Sequence, residues 1–240
     1  MLQRPGTPEE RTQRREARIA RWERPIDTGR QRLDAWVNAM WVDHAFVRAL
    51  YLNEHRVTDA LRRSAQPLPH QIRRWAREGV KTVITVRAGR QFGSWPLERE
   101  ACEDAGLVLE ESILRSREAP KPEDILRLEA LFRRIAYPAV LHCKSGADRA
   151  GLASALYLLL IEGADVATAK RQLSLRFGHM KGSKTGILDA VLEAYERDTR
   201  EGGIGFRDWV ETRYDPERIT AAFKPRPISS FITDRVLDRE

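Results

Sequence analysis

The chain has 240 residues, 42% hydrophobic and 32% charged, with a formal net charge of +7. That is enough for one sizeable core, and the basic balance weakly favours anionic partners. Its longest apolar run, near 152–161, is well short of the roughly 20 residues of a membrane span, and two cysteines exclude a disulfide framework.

Residues 1–29 interleave Arg11, Arg14, Arg15, Arg18 and Arg21 with Glu9, Glu10, Glu16 and Glu23. They read as a solvated, partly helical tail, with an acidic partner as the functional alternative. The segment has no apolar signal core, so a cytoplasmic location is expected. Leu33, Trp36, Val37, Met40, Trp41 and Val47 recur at helical spacing and predict a helix over about 30–50, with Asp43 and His44 as a surface pair. A helix starting near Pro69 and ending at Gly79 follows. Residues 80–87, "VKTVITVR", read as a buried strand whose terminal Arg87 is a candidate for a second anion. "PLEREACEDAG" predicts a helix, "LVLEESIL" a strand, 123–136 an amphipathic helix and "PAVLHC" a short strand. The alternation predicts an α/β fold, a central, mostly parallel sheet flanked by helices. Beyond Gly163 the pattern is helical, at about 165–176, 186–200, 206–213 and 229–238. The expected organisation is a tail over 1–29, a catalytic domain with a helical extension over 30–215, and a C-terminal extension over 216–240.

The informative stretch is "VLHCKSGADRAGLASALYLLLIEG". Cys143 and Arg149 bracket five small or polar residues, Lys144, Ser145, Gly146, Ala147 and Asp148, between a predicted strand and a predicted helix. Ligands of parallel sheets bind at that strand end. Backbone N–H groups of such a loop can turn inward as an anion nest, and the following helix points its positive end at the same place. A thiolate is stabilised there, and a guanidinium at the far end offers a fork for two phosphate oxygens. The expected chemistry is attack of sulfur on phosphorus, then hydrolysis of the cysteinyl-phosphate.

"HCKSGADRAG" resembles the His-Cys-x5-Arg signature of the cysteine-dependent protein tyrosine phosphatase superfamily. "RRSAQPLPHQIRRWAREGVKTVITVR" is similar to the first helix and strand of the compact dual-specificity phosphatases of bacteria. The resemblance covers about 60–200. It implies Cys143 as nucleophile, Arg149 as phosphate ligand, the amides of 144–149 as cradle, and His142 as a support that orders the loop. The implied partner is a phosphorylated protein or another phosphomonoester, with no cofactor and no metal. Phosphoinositides, RNA 5′ ends or phosphate binding without turnover are the alternatives.

Two features depart from the family. Ala150 stands where a serine or threonine usually stabilises the leaving thiolate. The general acid is open: Asp148 inside the signature, Glu118 in the "LRSREAPKPED" loop, or another group. Lys144 adds positive potential beside the nucleophile. "RFGHMKGSKTG", with His179, Lys181 and Lys184, is either an ordinary connection or a substrate-contacting loop. Cys102 reads as a buried, inert thiol, or else as a redox partner of Cys143.

Overall fold

Every residue of Thr82–Thr85 is β-branched and buried, as a strand covered on both faces requires. It is β3 of a five-stranded sheet seen in a computed structural model that describes residues 7–200 and 202–225. The strands are β1 (His55–Arg56), β2 (Leu61–Ala65), β3, β4 (Val108–Glu111) and β5 (Ala139–Cys143), in the order β1-β2-β5-β3-β4. Only β1 runs antiparallel to its neighbour. The α/β architecture with a mostly parallel sheet is therefore observed. Because β5 lies between β2 and β3, the signature loop leaves the sheet centre at its carboxyl edge, where ligands bind in such sheets.

Helices α4 (Pro69–Arg77) and α5 (Ser94–Asp104) cover one face, through a cluster containing Ile72, Trp75, Val83, Cys102 and Val140. Helices α6 (Pro122–Arg134) and α7 (Asp148–Leu160) cover the other, with Ile84, Leu141 and Cys143 in their cluster. In α7 every residue except Leu159 is buried, so beyond its polar first turn it is enclosed on all sides and sits as a central pillar. The chain continues through α8 (Val166–Lys170), α9 (Ile187–Asp198), α10 (Phe206–Thr212) and α11 (Pro216–Ala222).

Several elements differ from the sequence reading. The helix expected over 165–176 is only the short α8, followed by a 3₁₀ turn at Leu175–Phe177. Strand β2, with three polar residues in "LRRSA", carried no strand signal. The helix expected near 229–238 lies outside the described residues. The arginine-rich N-terminal stretch forms α1 (Pro8–Trp22), opened by a Thr7/Glu10 capping box and held by the buried Trp22 beside Ala35 and Leu97.

The helix expected over 30–50 is broken into α2 (Gly29–Val37), a π turn (Asn38–Val42) and α3 (Ala45–Leu50), with His44 left-handed at φ 56°. The break turns Asp43 inward. Expected at the surface, Asp43 is fully buried, because Arg87 and Arg48 meet it there. The outer side of the same segment exposes Leu33, Trp41, Leu50 and Tyr51. The extension docks through Gly93, where a Cβ would lie 2.4 Å from the Ala35 carbonyl oxygen and whose N–H donates to Asn38 Oδ1 at 2.7 Å.

Candidate active site

Residues 144–147 form a loop whose outer side is fully engaged. The Lys144 carbonyl accepts from the Gln66 amide at 3.3 Å, and the Ser145 carbonyl accepts from Asn53 Nδ2 at 3.0 Å. Arg63 Nη2 donates to the carbonyls of Gly146 (2.7 Å) and Ala147 (2.8 Å). In a trans peptide the C=O and the following N–H point in opposite directions. Four carbonyls drawn outward therefore aim the amides of 145–148 inward, at the mouth of α7. This is an anion nest at a helix N-terminus. Gly146 adopts φ +73°, and a Cβ there would lie 2.7 Å from Ala65 N and Ser64 C, so only glycine fits.

Arg63 organises this arrangement. Strand alternation and register place Leu61, Arg63 and Ala65 on the same face as Leu141 and Cys143, with Ala65 opposite Cys143. Its other nitrogen donates to the Gln172 backbone oxygen at 2.6 Å and side chain at 3.0 Å, and its guanidinium stacks 4.1 Å from the Phe177 ring. Burial pulls its pKa down to about 10, opposed by the charges of Cys143 and Asp148. The guanidinium thus faces both groups. Gly151 leaves room for it: a Cβ there would come within 2.8 Å of Gln172 O and 3.2 Å of Arg63 Nη2.

Cys143 ends β5 and Arg149 sits in the first turn of α7, both buried. His142, on the opposite face, has Nε2 2.6 Å from Glu98 Oε1, though the angle departs from that of a hydrogen bond. The second Glu98 oxygen accepts from Gln66 Nε2 at 2.7 Å, and Arg87 donates to Gln66 Oε1. Arg87 also forms a two-pronged pair with Asp43, at 2.6 and 2.8 Å. Arg48 Nη2 (2.9 Å) and Ser94 Oγ (2.7 Å) complete the Asp43 shell. Burial pushes the Asp43 carboxyl up, but Arg87 and Arg48 more than reverse this and hold it at about 2. Arg87 is therefore committed to Asp43, against the second-anion role for which it was a candidate. Lys144 Nζ lies 3.9 Å from Asp43 Oδ1, so the same carboxylate also faces the residue after the cysteine.

On the other side, Asp148 Oδ1 lies 2.7 Å from His179 Nδ1, and His179 Nε2 lies 2.6 Å from Asp189 Oδ2 of α9. The loop around His179 is no ordinary solvated connection: His179, Ser183 and Thr185 are buried. Glu118 is exposed and engaged by Arg115 at 3.0 and 3.1 Å. Lys181 is exposed and paired with Glu193. Near Ala150, the Ser154 hydroxyl donates to the Ala150 carbonyl at 2.7 Å. Cys102 packs with Val140 on the α4–α5 face, while Cys143 packs on the α6–α7 face. The sheet thus separates the two sulfurs, against the redox-partner alternative. Burial, then the charge of Glu98, pushes the Cys102 thiol up, so it is an inert core group.

Arg63, Asn53, Gln66 and Asp189 escaped the sequence reading, and Asp43 reads there as a surface group. Arg63 had a signal, two adjacent arginines between Leu61 and Ala65, one of which must face inward if the segment is a strand. Among the described residues no cluster of histidine, cysteine and acidic side chains could hold a metal ion, and no helix is long and apolar enough to cross a membrane.

A cysteine at the carboxyl edge of a parallel sheet, an inward-facing amide nest and an arginine on the helix behind form an arrangement that can hold a phosphoryl group against a thiol. Residues 108–171 match the tyrosine phosphatase family. The dual specificity protein phosphatase TpbA of Pseudomonas aeruginosa is 27% identical over 188 residues, 74% of this chain and 73% of that protein. A phosphatase candidate from Shewanella putrefaciens superposes with a TM-score of 0.51 at 18% identity, covering 62% of this chain and 95% of that one. A P. aeruginosa TpbA variant solved with phosphotyrosine superposes with a TM-score of 0.49 at 20% identity, covering 63% and 92%. The chain is thus similar to the compact cysteine-dependent phosphatases of the tyrosine and dual-specificity type found in bacteria.

Proposed function

We propose that the chain hydrolyses phosphomonoesters of proteins, phosphotyrosine first, with Cys143 as nucleophile and Arg149 as phosphate and transition-state ligand. The observation that carries this is the outward tethering of four consecutive carbonyls, which leaves the loop's amides facing a thiol. A phosphoryl group in that nest meets N–H donors, the helix dipole and the Arg149 guanidinium, all preorganised for the charge of the transition state. Sulfur attacks phosphorus, the leaving oxygen takes a proton, and water then cleaves the cysteinyl-phosphate. His142 and Glu98 support the loop from the opposite face. Protein substrates are favoured because the relative similar over most of its length is a dual specificity protein phosphatase.

Asp148 is the acid we assign. It opens α7 directly after the loop, whereas Glu118 is tied to Arg115 in solvent. Lys144, Ser145, Gly146 and Ala147 line the phosphate, and Lys181 belongs to the rim. Ala150 supplies no hydroxyl for the departing thiolate, which predicts slow breakdown of the phosphoenzyme. The catalytic unit spans 30–215, with 216–240 as an extension, and the exposed arginines of α1 are where an acidic partner would bind. Two free cysteines suit a cytoplasmic setting.

The test is hydrolysis of an aryl phosphate and of phosphotyrosine, phosphoserine and phosphothreonine peptides by the wild type and by Cys143→Ser. The expected outcome is turnover on phosphotyrosine peptide, a burst of released alcohol before a slower steady rate, and no turnover in the variant. Activity that survives Cys143→Ser would overturn the reading.

A further inference from the structure

The signature loop and the loop at 178–186 meet at one buried contact. Gly178, at φ +81°, turns the chain inward so that His179 enters the core. The loop cannot easily let it go. At Gly186 a Cβ would lie 1.8 Å from the Lys181 carbonyl oxygen, so the chain closes on itself there. The Ser183 and Thr185 hydroxyls, both buried, lie 2.9 Å apart. The imidazole is fixed between two carboxylates, with Nδ1 2.7 Å from Asp148 and Nε2 2.6 Å from Asp189. Those are the charged groups facing it, from α7 and α9. Beyond them, the Arg63 guanidinium of β2 interacts with the charges of both Asp148 and Cys143.

A general acid must hold a proton when substrate arrives. An ordinary aspartic acid at neutral pH holds one in few molecules. A buried imidazolium donating to that aspartate solves the problem.

Resting on the assignment of Asp148 as acid, we infer that His179 is a positioning residue that also stores the proton Asp148 delivers, in a relay Asp189–His179–Asp148. In the first step sulfur forms its bond to phosphorus as the ester P–O bond breaks. The Nδ1 proton of His179 passes to the Asp148 carboxylate, which delivers a proton to the leaving oxygen. Thiolate, phosphate dianion and imidazolium become cysteinyl-phosphate, alcohol and neutral imidazole. In the second step water attacks phosphorus, its proton passes through Asp148 back to Nδ1, and thiolate, inorganic phosphate and imidazolium are restored. Asp189 keeps the Nε2–H throughout and fixes the ring orientation. Burial alone would lower the His179 pKa from 6.5, but the hydrogen bonds and charges of Asp148 and Asp189 raise it to about 9. The store is therefore charged at neutral pH.

The experiment uses His179→Gln, whose amide can still donate to Asp148 but carries no transferable proton. The kcat is measured on aryl phosphates of rising leaving-group pKa, with the imidazole followed by nitrogen NMR in wild type and Asp148→Asn. The relay predicts a loss of about 10²- to 10³-fold in kcat on phenyl phosphate and under about 3-fold on dinitrophenyl phosphate, with KM nearly unchanged. It also predicts that His179 titrates near 9 and moves down in Asp148→Asn. Equal loss on both substrates, no loss at all, or a His179 titration at or below 6.5 in both proteins overturns it. A wild type active on phenyl phosphate, silenced by Cys143→Ser and indifferent to His179→Gln, removes the relay alone. A wild type inactive on every aryl phosphate removes the phosphatase reading and the relay with it.

Discussion

Asp43 and His179 sit on opposite sides of the signature loop, both fully buried, and each is the centre of an ionic cluster built on the opposite plan. Around Asp43, one carboxylate gathers two guanidiniums, with Lys144 3.9 Å away. Around His179, one imidazole is shared by two carboxylates. The first cluster is made of groups that keep their charge across the physiological range, and its carboxyl is held at about 2. The second is centred on the residue type that titrates nearest neutrality, shifted to about 9. The contrast separates two tasks. A permanently charged cluster can brace a loop but cannot exchange a proton, while a titratable one can do both.

The largest expected effect is on the permanent cluster. Asp43→Ala leaves Arg87 and Arg48 buried with no carboxylate between them, and is expected to cost about 3–5 kcal/mol of folding stability. Urea unfolding measures this, and a loss under about 1 kcal/mol would mean that the extension braces nothing.

The two clusters also predict opposite pH limits. The Asp43 pKa is lowered on folding, so its contribution is present above the ordinary carboxyl value of 3.8 and is lost as pH falls through about 2. The His179 pKa is raised, so its contribution is complete below 6.5 and is lost as pH rises through about 9. The acid limb is worth about 2 kcal/mol and the alkaline limb about 3 kcal/mol. His179→Gln should abolish the alkaline limb and leave the acid one, and an unchanged alkaline limb would place its cause elsewhere.

Smaller again is the effect of Arg63→Lys, which keeps the charge and loses the fork. It should cost about 1.5–3 kcal/mol, read as weaker binding of inorganic phosphate or vanadate together with a lower unfolding midpoint. Phosphate affinity equal to wild type would show that the carbonyls of Gly146 and Ala147 do not need Arg63. Smallest is Glu118→Gln. An exposed pair three residues apart is worth under about 0.5 kcal/mol, and the dependence of kcat on leaving group should not change. A selective loss on poor leaving groups would instead make Glu118 the acid.

Much of this was legible because the parts are local. The β-branched run at 82–85, the cysteine–arginine loop and the apolar helix behind it each announce themselves within a few residues. What was not legible depends on contacts between distant segments. Asp43 reads as a surface charge on a helix until the chain breaks at His44 and Arg87 arrives from 44 positions away. Strand β2 is hidden by Arg62 and Arg63, because a strand that uses an arginine as scaffold breaks the apolar pattern that identifies strands. His179 was noticed, but its partners lie 31 and 10 residues away on either side, beyond any local spacing rule.

The tethering of the signature loop bears on how the protein folds. Its shape is imposed by Asn53 and Arg63, 92 and 83 residues earlier in the chain. Contacts of such separation come at the cost of closing a long loop and tend to form after local structure. During synthesis the outer scaffold is made first, and the nest is moulded against it when β5 enters the sheet. In hydrogen exchange, the Arg63 contacts should then open only with the β2–β5 pair as one cooperative unit. A ten-residue motif grafted onto another strand–helix turn would carry the cysteine and the arginine, but not the mould that turns its amides inward.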